Sequence, residues 1–261
     1  MSFLSFILKS TFLRESIITH LKSHYFSEFN LSIPISNNYS VNLEENDSYD
    51  SFSEIFIQGE YNSYLPDIEF RKVIDIGANY GYFSLWLQSI QPDTPLESAL
   101  IEASPRCLKS LKCLTSIEKL KGRFTYLPKA IGNPNKEKLS FYDRPFMAGS
   151  VSDEGDCLSQ DFIPILKCEE ILETLSPTYD LIKCDIEGSE WEFLSFYESI
   201  IKNSRFFILE WHSWHSGEGG QEQIINKINS LEFEILKLSN PHPAIGRDGK
   251  VGLLLARNLN L

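Results

Sequence analysis

The stretch that most constrains this chain is Val73-Ile74-Asp75-Ile76-Gly77-Ala78-Asn79-Tyr80-Gly81-Tyr82-Phe83-Ser84-Leu85, where a short apolar run meets a glycine-punctuated turn and then a helical pattern. Such a run fits a strand buried on both faces, as in a parallel sheet covered by helices. Gly77 and Gly81 allow the backbone to bend tightly and approach a ligand, and the N–H groups of the helix start are expected to face that ligand's polar end. The turn departs from G-x-G-x-x-G, because Asn79 replaces the glycine that lets a pyrophosphate lie against the main chain. A nucleotide-like ligand without pyrophosphate fits better.

S-Adenosylmethionine is such a ligand, with an amino acid head, a sulfonium, a ribose and an adenine, and Asp75 stands where a carboxylate can help hold its amino end. Ala99-Leu100-Ile101-Glu102 is a second apolar strand ending in a carboxylate. Ser104 and Pro105 follow as cap and first helical residue. Glu102, one βα unit after the glycine turn, offers two acceptor oxygens to two vicinal ribose hydroxyls. A nicotinamide-dependent oxidoreductase and a non-catalytic scaffold are the competing readings; the first normally has a better pyrophosphate loop, and the second keeps the fold without the chemistry.

A third apolar strand runs through Tyr179-Asp180-Leu181-Ile182-Lys183-Cys184 and delivers Asp185, Glu187 and Glu190 around Gly188. Ligand crevices form at the carboxyl ends of parallel strands, so Asp185 and Glu187 are candidate proton acceptors. Glu190 is equally explained as a carboxylate favouring a helix start. Lys183 is read as structural, its stem packed and its amine reaching the sheet end. Glu210-Trp211-His212-Ser213-Trp214-His215 ends a further strand with functional side chains suited to an acceptor, His212 ahead of His215. Glu210, His212 and Asp185 are conceivable metal ligands, but spacing alone does not bring them together, and no metal ligand is assigned.

The rest of the chain supports a mixed α/β architecture. Strands are expected at 72–76, 97–102, 124–130, 179–185 and 205–211, with an antiparallel final pair at 233–238 and 251–257. Phe3, Ile7, Leu13, Ile17 and Leu21 predict amphipathic helices up to about Phe26, docked on the protein itself or on a membrane surface or second copy. Lys9 and Arg14 follow the first apolar run rather than preceding it, against a signal peptide, and no run is long enough to span a membrane. Leu31 to Leu43, with Asn37-Asn38 inside, reads as a hairpin, and Ser51 to Tyr64 as a short helix and loop. Residues 1–65 are therefore expected to form an extension packed on a domain spanning 66–261. Phe146 to Ser152 reads as a lid or a cofactor neighbour, and Asp153 to Asp161 as a solvated acidic excursion. With 24 basic against 36 acidic residues, the field repels phosphate backbones, so nucleic acid is not an expected partner. Five cysteines without C-x-x-C spacing point to reduced thiols and a cytoplasmic location.

Asp75-Ile76-Gly77-Ala78-Asn79-Tyr80-Gly81, Glu102-Ala103-Ser104-Pro105 and Ile182 through Glu190, with Ser51 to Phe56, Tyr61 and Ile208 to His212 flanking them, together resemble the FkbM family of class I methyltransferases. The resemblance runs from about residue 50 to the end. It implies a Rossmann-like seven-stranded methyltransferase sheet, mostly parallel with an antiparallel last strand. By position it assigns Asp75, Gly77, Ala78, Asn79, Gly81 and Glu102 to the cofactor, with Lys129, Ala130 and Ile131 against its adenine. Asp185, Glu187 and His212 become the catalytic candidates. It also implies O-methylation of a sugar, glycan or natural-product hydroxyl, or N-methylation of a peptide amide. The acceptor is thus a small molecule, glycan or peptide, and the oligomeric state is left unassigned.

Overall fold

The computed structural model describes residues 31–43, 48–143, 149, 159–213, 220–244 and 248–261. Leu31–Pro34 (β1) and Ser40–Leu43 (β2) pair as the expected antiparallel hairpin. Ser48–Phe52 (α1) continues into a π-helical turn, Ser53–Gln58. Then come Lys72–Ile76 (β3), Tyr82–Ile90 (α2), Glu97–Ile101 (β4), Leu108–Thr115 (α3) and Phe124–Leu127 (β5). Lys138–Asp143 (β6) and Ser159–Pro164 (β7) precede Cys168–Thr174 (α4), Tyr179–Cys184 (β8), Glu190–Phe196 (α5) and Glu198–Ile201 (α6). The chain ends with Ser204–His212 (β9), Gln221–Ser230 (α7), Phe233–Leu238 (β10), His242–Pro243 (β11) and Lys250–Asn258 (β12).

The central sheet has the order β10-β12-β9-β8-β3-β4-β5, with the two-residue β11 added on β12. Strands β5, β4, β3, β8 and β9 run parallel, and β12 runs antiparallel to both β9 and β10. Alternation along the strands separates two apolar layers. Val73 and Leu181 join the layer of α2 and the hairpin, whereas Ile74, Ile76, Ile182 and Cys184 join the layer of α5 and α7. Tyr39, Val41, Leu43, Phe52, Ile57 and Tyr61 are buried in the first layer, so the segment before β3 shares its core.

Three expectations are corrected. The third parallel strand stops at Leu127 rather than residue 130, because Pro128 lacks an N–H; Ala130 instead makes a lone parallel bridge with Ile165. The acidic excursion ends in structure: Ser159, Gln160 and Asp161 belong to β7 and pair with Asp143, Tyr142 and Phe141. Ser104 does not cap; its hydroxyl is bonded to Asp143 Oδ1 at 3.3 Å, although Pro105 does open a 3₁₀ turn, Pro105–Cys107, before α3. The N-terminal helices up to Phe26, most of the segment around Phe146 to Ser152, and Trp214 and His215 lie outside the described residues. Among the described residues no helix is long and apolar enough to cross a membrane.

The Phe83 ring sits edge-on to Tyr61 at 5.0 Å and tilted against Trp86 at 5.9 Å, joining the segment before β3 to α2. Phe83→Ala is expected to cost about 3–5 kcal/mol in urea-induced unfolding. A loss under about 1 kcal/mol would show that this layer is not a shared core.

Candidate active site

Strands β3 and β8 finish side by side, with Ile76 opposite Cys184 and the Asp185 N–H donating to the Ile76 carbonyl at 3.0 Å. The turn after β3 presses directly on the end of β8. Gly77 lies at φ 72°, and a Cβ there would fall 1.6 Å from the Asp185 carbonyl oxygen, so only glycine fits. Asn79 takes the left-handed conformation at φ 51°, which asparagine tolerates better than most residues.

The N–H groups of the turn before the helix are used internally. Gly77 and Ala78 both donate to Ile101 O at 3.0 Å, and Gly81 donates to Ala78 O at 2.7 Å. Asn79 donates to Glu102 Oε2 at 2.8 Å. The cause is that the turn folds over the end of β4, whose last carbonyl needs donors. Asp75 is deeper than its position suggested. It has no exposed surface, accepts from Ser84 Oγ at 2.8 Å, and lies beneath the turn instead of facing the crevice.

Lys183 bridges these parts. Its Nζ donates to the Gly77 carbonyl at 2.8 Å and lies 3.7 Å from Asp75 Oδ1 and 3.6 Å from Asp185 Oδ2. Burial favours the neutral amine, but Asp185 and Asp75 outweigh it and hold its pKa above the ordinary lysine value. The amine therefore reaches the sheet end, as the sequence reading held, and there it fastens the glycine turn.

Glu102 is half-buried, with Oε1 accepting the Ser104 N–H at 2.6 Å and Oε2 the Asn79 N–H. Burial raises its pKa, and the Ser104 and Asn79 donors oppose that rise. Each oxygen keeps a further lone pair, so a fixed carboxylate presents two acceptors to a vicinal diol. This fits a ribose. Ala130 and Ile131 are buried; Ala130 is tied by both backbone groups to Pro164 and Leu166, at 3.0 Å each. Ile131 lines a cavity of about 470 Å³ together with Tyr142, Ser189 and Phe196.

On the other side of Gly77, Asp185, Glu187 and His212 each bring a ligand-type atom within 4.8 Å of the others. Sequence named all three without being able to join them. Glu187 is held at φ 55° in the turn after β8. Glu190 Oε1 closes that turn by accepting from Ile186 N at 3.2 Å and Gly188 N at 3.1 Å, and also contacts His212 Nδ1 at 2.9 Å. Burial works against charge on His212, but Glu190, Glu187 and Glu210 raise its pKa to about 10. The carboxylates around it thus favour the protonated ring. Burial would also raise Glu190, yet the His212 charge keeps its pKa below the ordinary value.

Two glutamates missed by sequence reasoning act on the same place from the segment before β3. Glu54 is pushed up to about 8 by burial and by the charges of Glu60, Asp185, Asp50 and Glu187. Burial and Asp185 raise Glu60 as well. A glutamate set between the buried Ile55 and Ser53 was the available signal.

The chain's own geometry therefore joins a carboxylate with two fixed oxygens to a cluster of acidic groups across one glycine turn. A family model for the FkbM methyltransferase domain matches residues 75–237. The chain belongs to that family. The family is one of S-adenosylmethionine-dependent methyltransferases, which speaks against the oxidoreductase reading. No curated protein matches it by sequence. Among solved structures it is similar to methyltransferase FkbM of Methylobacillus flagellatus KT, at 17% identity and TM-score 0.51, covering 80% of this chain and 50% of that one. Another similar structure is PH0793 of Pyrococcus horikoshii, at 13% identity and TM-score 0.50, covering 88% and 73%. At these identities the likeness shows the fold. The chain thus spans half the length of that FkbM protein.

The folded pKa of Glu54, about 8, lies above its ordinary 4.5, so its contribution to stability is complete below 4.5 and lost as the pH rises through 8. Glu54→Gln in this FkbM methyltransferase should accordingly melt like the parent near pH 4 and above it at about pH 9. Equal melting temperatures at both pH values would remove Glu54 from the acidic crevice.

Proposed function

We propose that this FkbM methyltransferase methylates a hydroxyl of a sugar, glycan or natural product. The observation that carries this reading is the meeting of Asp185, Glu187 and His212 beside the Gly77 turn, where an acceptor hydroxyl can lose its proton. Asp75, Gly77, Ala78, Asn79, Gly81 and Glu102 make the donor side, Glu102 through its two fixed oxygens and Asp75 from beneath, with Ala130 and Ile131 toward the adenine. Bound there, S-adenosylmethionine supplies an electrophilic methyl group on a cationic sulfur.

Glu54, Glu60, Asp185, Glu187 and Glu210 crowd together, and a cation among them relieves the repulsion that raises Glu54, Glu60 and Glu210, which favours a cationic donor and a neutral or cationic acceptor over an anionic one. Asp185 or Glu187 receives the hydroxyl proton. His212, charged and fixed by Glu190, holds that pair in place and donates a hydrogen bond. The chain's main task is to keep acceptor and methyl group aligned for in-line displacement.

The same reading takes residues 1–65 as an extension packed on a 66–261 catalytic domain, consistent with Tyr39, Phe52 and Tyr61 in the shared core. A cytoplasmic location fits the free thiols of Cys107, Cys113, Cys168 and Cys184.

Calorimetry with S-adenosylhomocysteine and turnover with methyl-labelled donor test this reading. Glu102→Ala should weaken product binding at least ~10-fold. Glu187→Gln should slow transfer to a hydroxyl acceptor ~100-fold while leaving product affinity near that of the parent. Label appearing on amide nitrogen instead of oxygen across an acceptor panel would overturn the hydroxyl assignment.

A further inference from the structure

We infer that Asp185, Glu187 and His212 form a divalent-cation site at the acceptor end of the crevice, suited to a first-row ion such as Mn²⁺. The binding of the ion follows from this chain's geometry; its catalytic use rests on the methyltransferase reading above. One oxygen from each carboxylate and one ring nitrogen lie within 4.8 Å of one another, contributed by the end of β8, the turn after it and the end of β9. In an octahedral shell with bonds of about 2.1 Å, neighbouring ligands stand about 3 Å apart and opposite ones about 4.2 Å. The three atoms therefore close on an ion after modest side-chain shifts.

A second feature is the way the imidazole is held. Its Nδ1 is engaged by Glu190 Oε1 at 2.9 Å, and both side chains are almost fully buried. That contact fixes the ring and leaves Nε2 for an ion, which would displace the proton from that nitrogen on binding and complete the carboxylate–histidine–metal arrangement that orients metal-binding imidazoles. Glu190 is itself locked by the N–H groups of Ile186 and Gly188, in the same turn that carries Glu187. The orienting group and one ligand are thus set by a single turn.

The surroundings favour positive charge at this point. Glu210 Oε1 stands 3.8 Å from His212 Nε2, and the Glu210 carboxylate acts on Asp185 and Glu187. Glu60 adds to this field from the segment before β3, while Lys183, 3.6 Å from Asp185, offsets part of it. One imidazole with two carboxylates suits Mn²⁺ or Fe²⁺, rather than the thiolate-preferring ions or an all-oxygen calcium site. Three protein ligands leave the remaining positions for acceptor oxygens. An ion there polarises an acceptor hydroxyl and loosens the proton that a neighbouring carboxylate receives.

The test uses the full-length protein, stripped with a chelator and titrated with Mn²⁺ while the electron paramagnetic resonance signal of the free ion is followed. S-Adenosylhomocysteine calorimetry and thermal melting are run on the same samples. One saturable Mn²⁺ per chain is expected, with affinity falling ~10-fold or more in both Glu187→Gln and Asp185→Asn. Glu190→Gln should also weaken Mn²⁺ by ~10-fold through loss of the fixed ring. Absence of saturable binding to the parent protein at millimolar Mn²⁺ would overturn the site, as would unchanged affinity in folded Glu187→Gln. Saturable Mn²⁺ binding without S-adenosylhomocysteine binding would support the ion site and count against the donor-site assignment alone.

Discussion

The geometry of the site depends on a cation placed where cations are costly. Lys183 lies in the middle of a parallel sheet with its ammonium almost fully buried, donating to the Gly77 carbonyl at 2.8 Å with Asp75 and Asp185 on either side. Transfer of an isolated ammonium into such surroundings costs several kcal/mol, and the two carboxylates make it tenable. The dependence is mutual, because Asp75 has no exposed surface and Lys183 is the first of the influences that favour its charged form. One side chain thereby joins the glycine turn after β3 to the carboxylate turn after β8. The two turns are held so close that a Cβ on Gly77 would overlap the Asp185 carbonyl.

A second buried pair extends the arrangement to the next strand. Glu190 fastens the turn after β8 through two N–H groups and reaches His212 on β9. The reversed strand β12 keeps that end of β9 in register, with Leu253 opposite Glu210 and Val251 opposite His212. Glu54 and Glu60 then approach from the segment before β3, so the crevice draws on residues far apart in sequence. Its acidity is collective: burial and neighbouring carboxylates raise Glu54, Glu60 and Glu210 together.

What could be read from sequence was mostly local. The run Val73 to Ile76, the glycine turn and Glu102 sit within one βα unit and declare themselves through apolar patterning, turn chemistry and spacing. The antiparallel terminal pair was legible for the same reason. Partnerships between elements were not. Asp75 looks like a ligand carboxylate because of its neighbours in sequence, but the approach of Lys183 and Ser84 places it beneath the turn. Glu190 reads as a helix-start residue, and nothing local announces its pairing with His212. The ending of β5 was available in Pro128, whereas the pairing of β6 with β7 required knowledge of a distant partner.

The central claim, that Lys183 holds the two turns together, is tested most directly by amide hydrogen exchange on Lys183→Met, a change that retains most of the stem while removing the charge. Faster exchange concentrated at 77–81 and 185–190, with the far side of the sheet still protected, is the predicted result. Protection in both turns equal to that of the parent protein would contradict it.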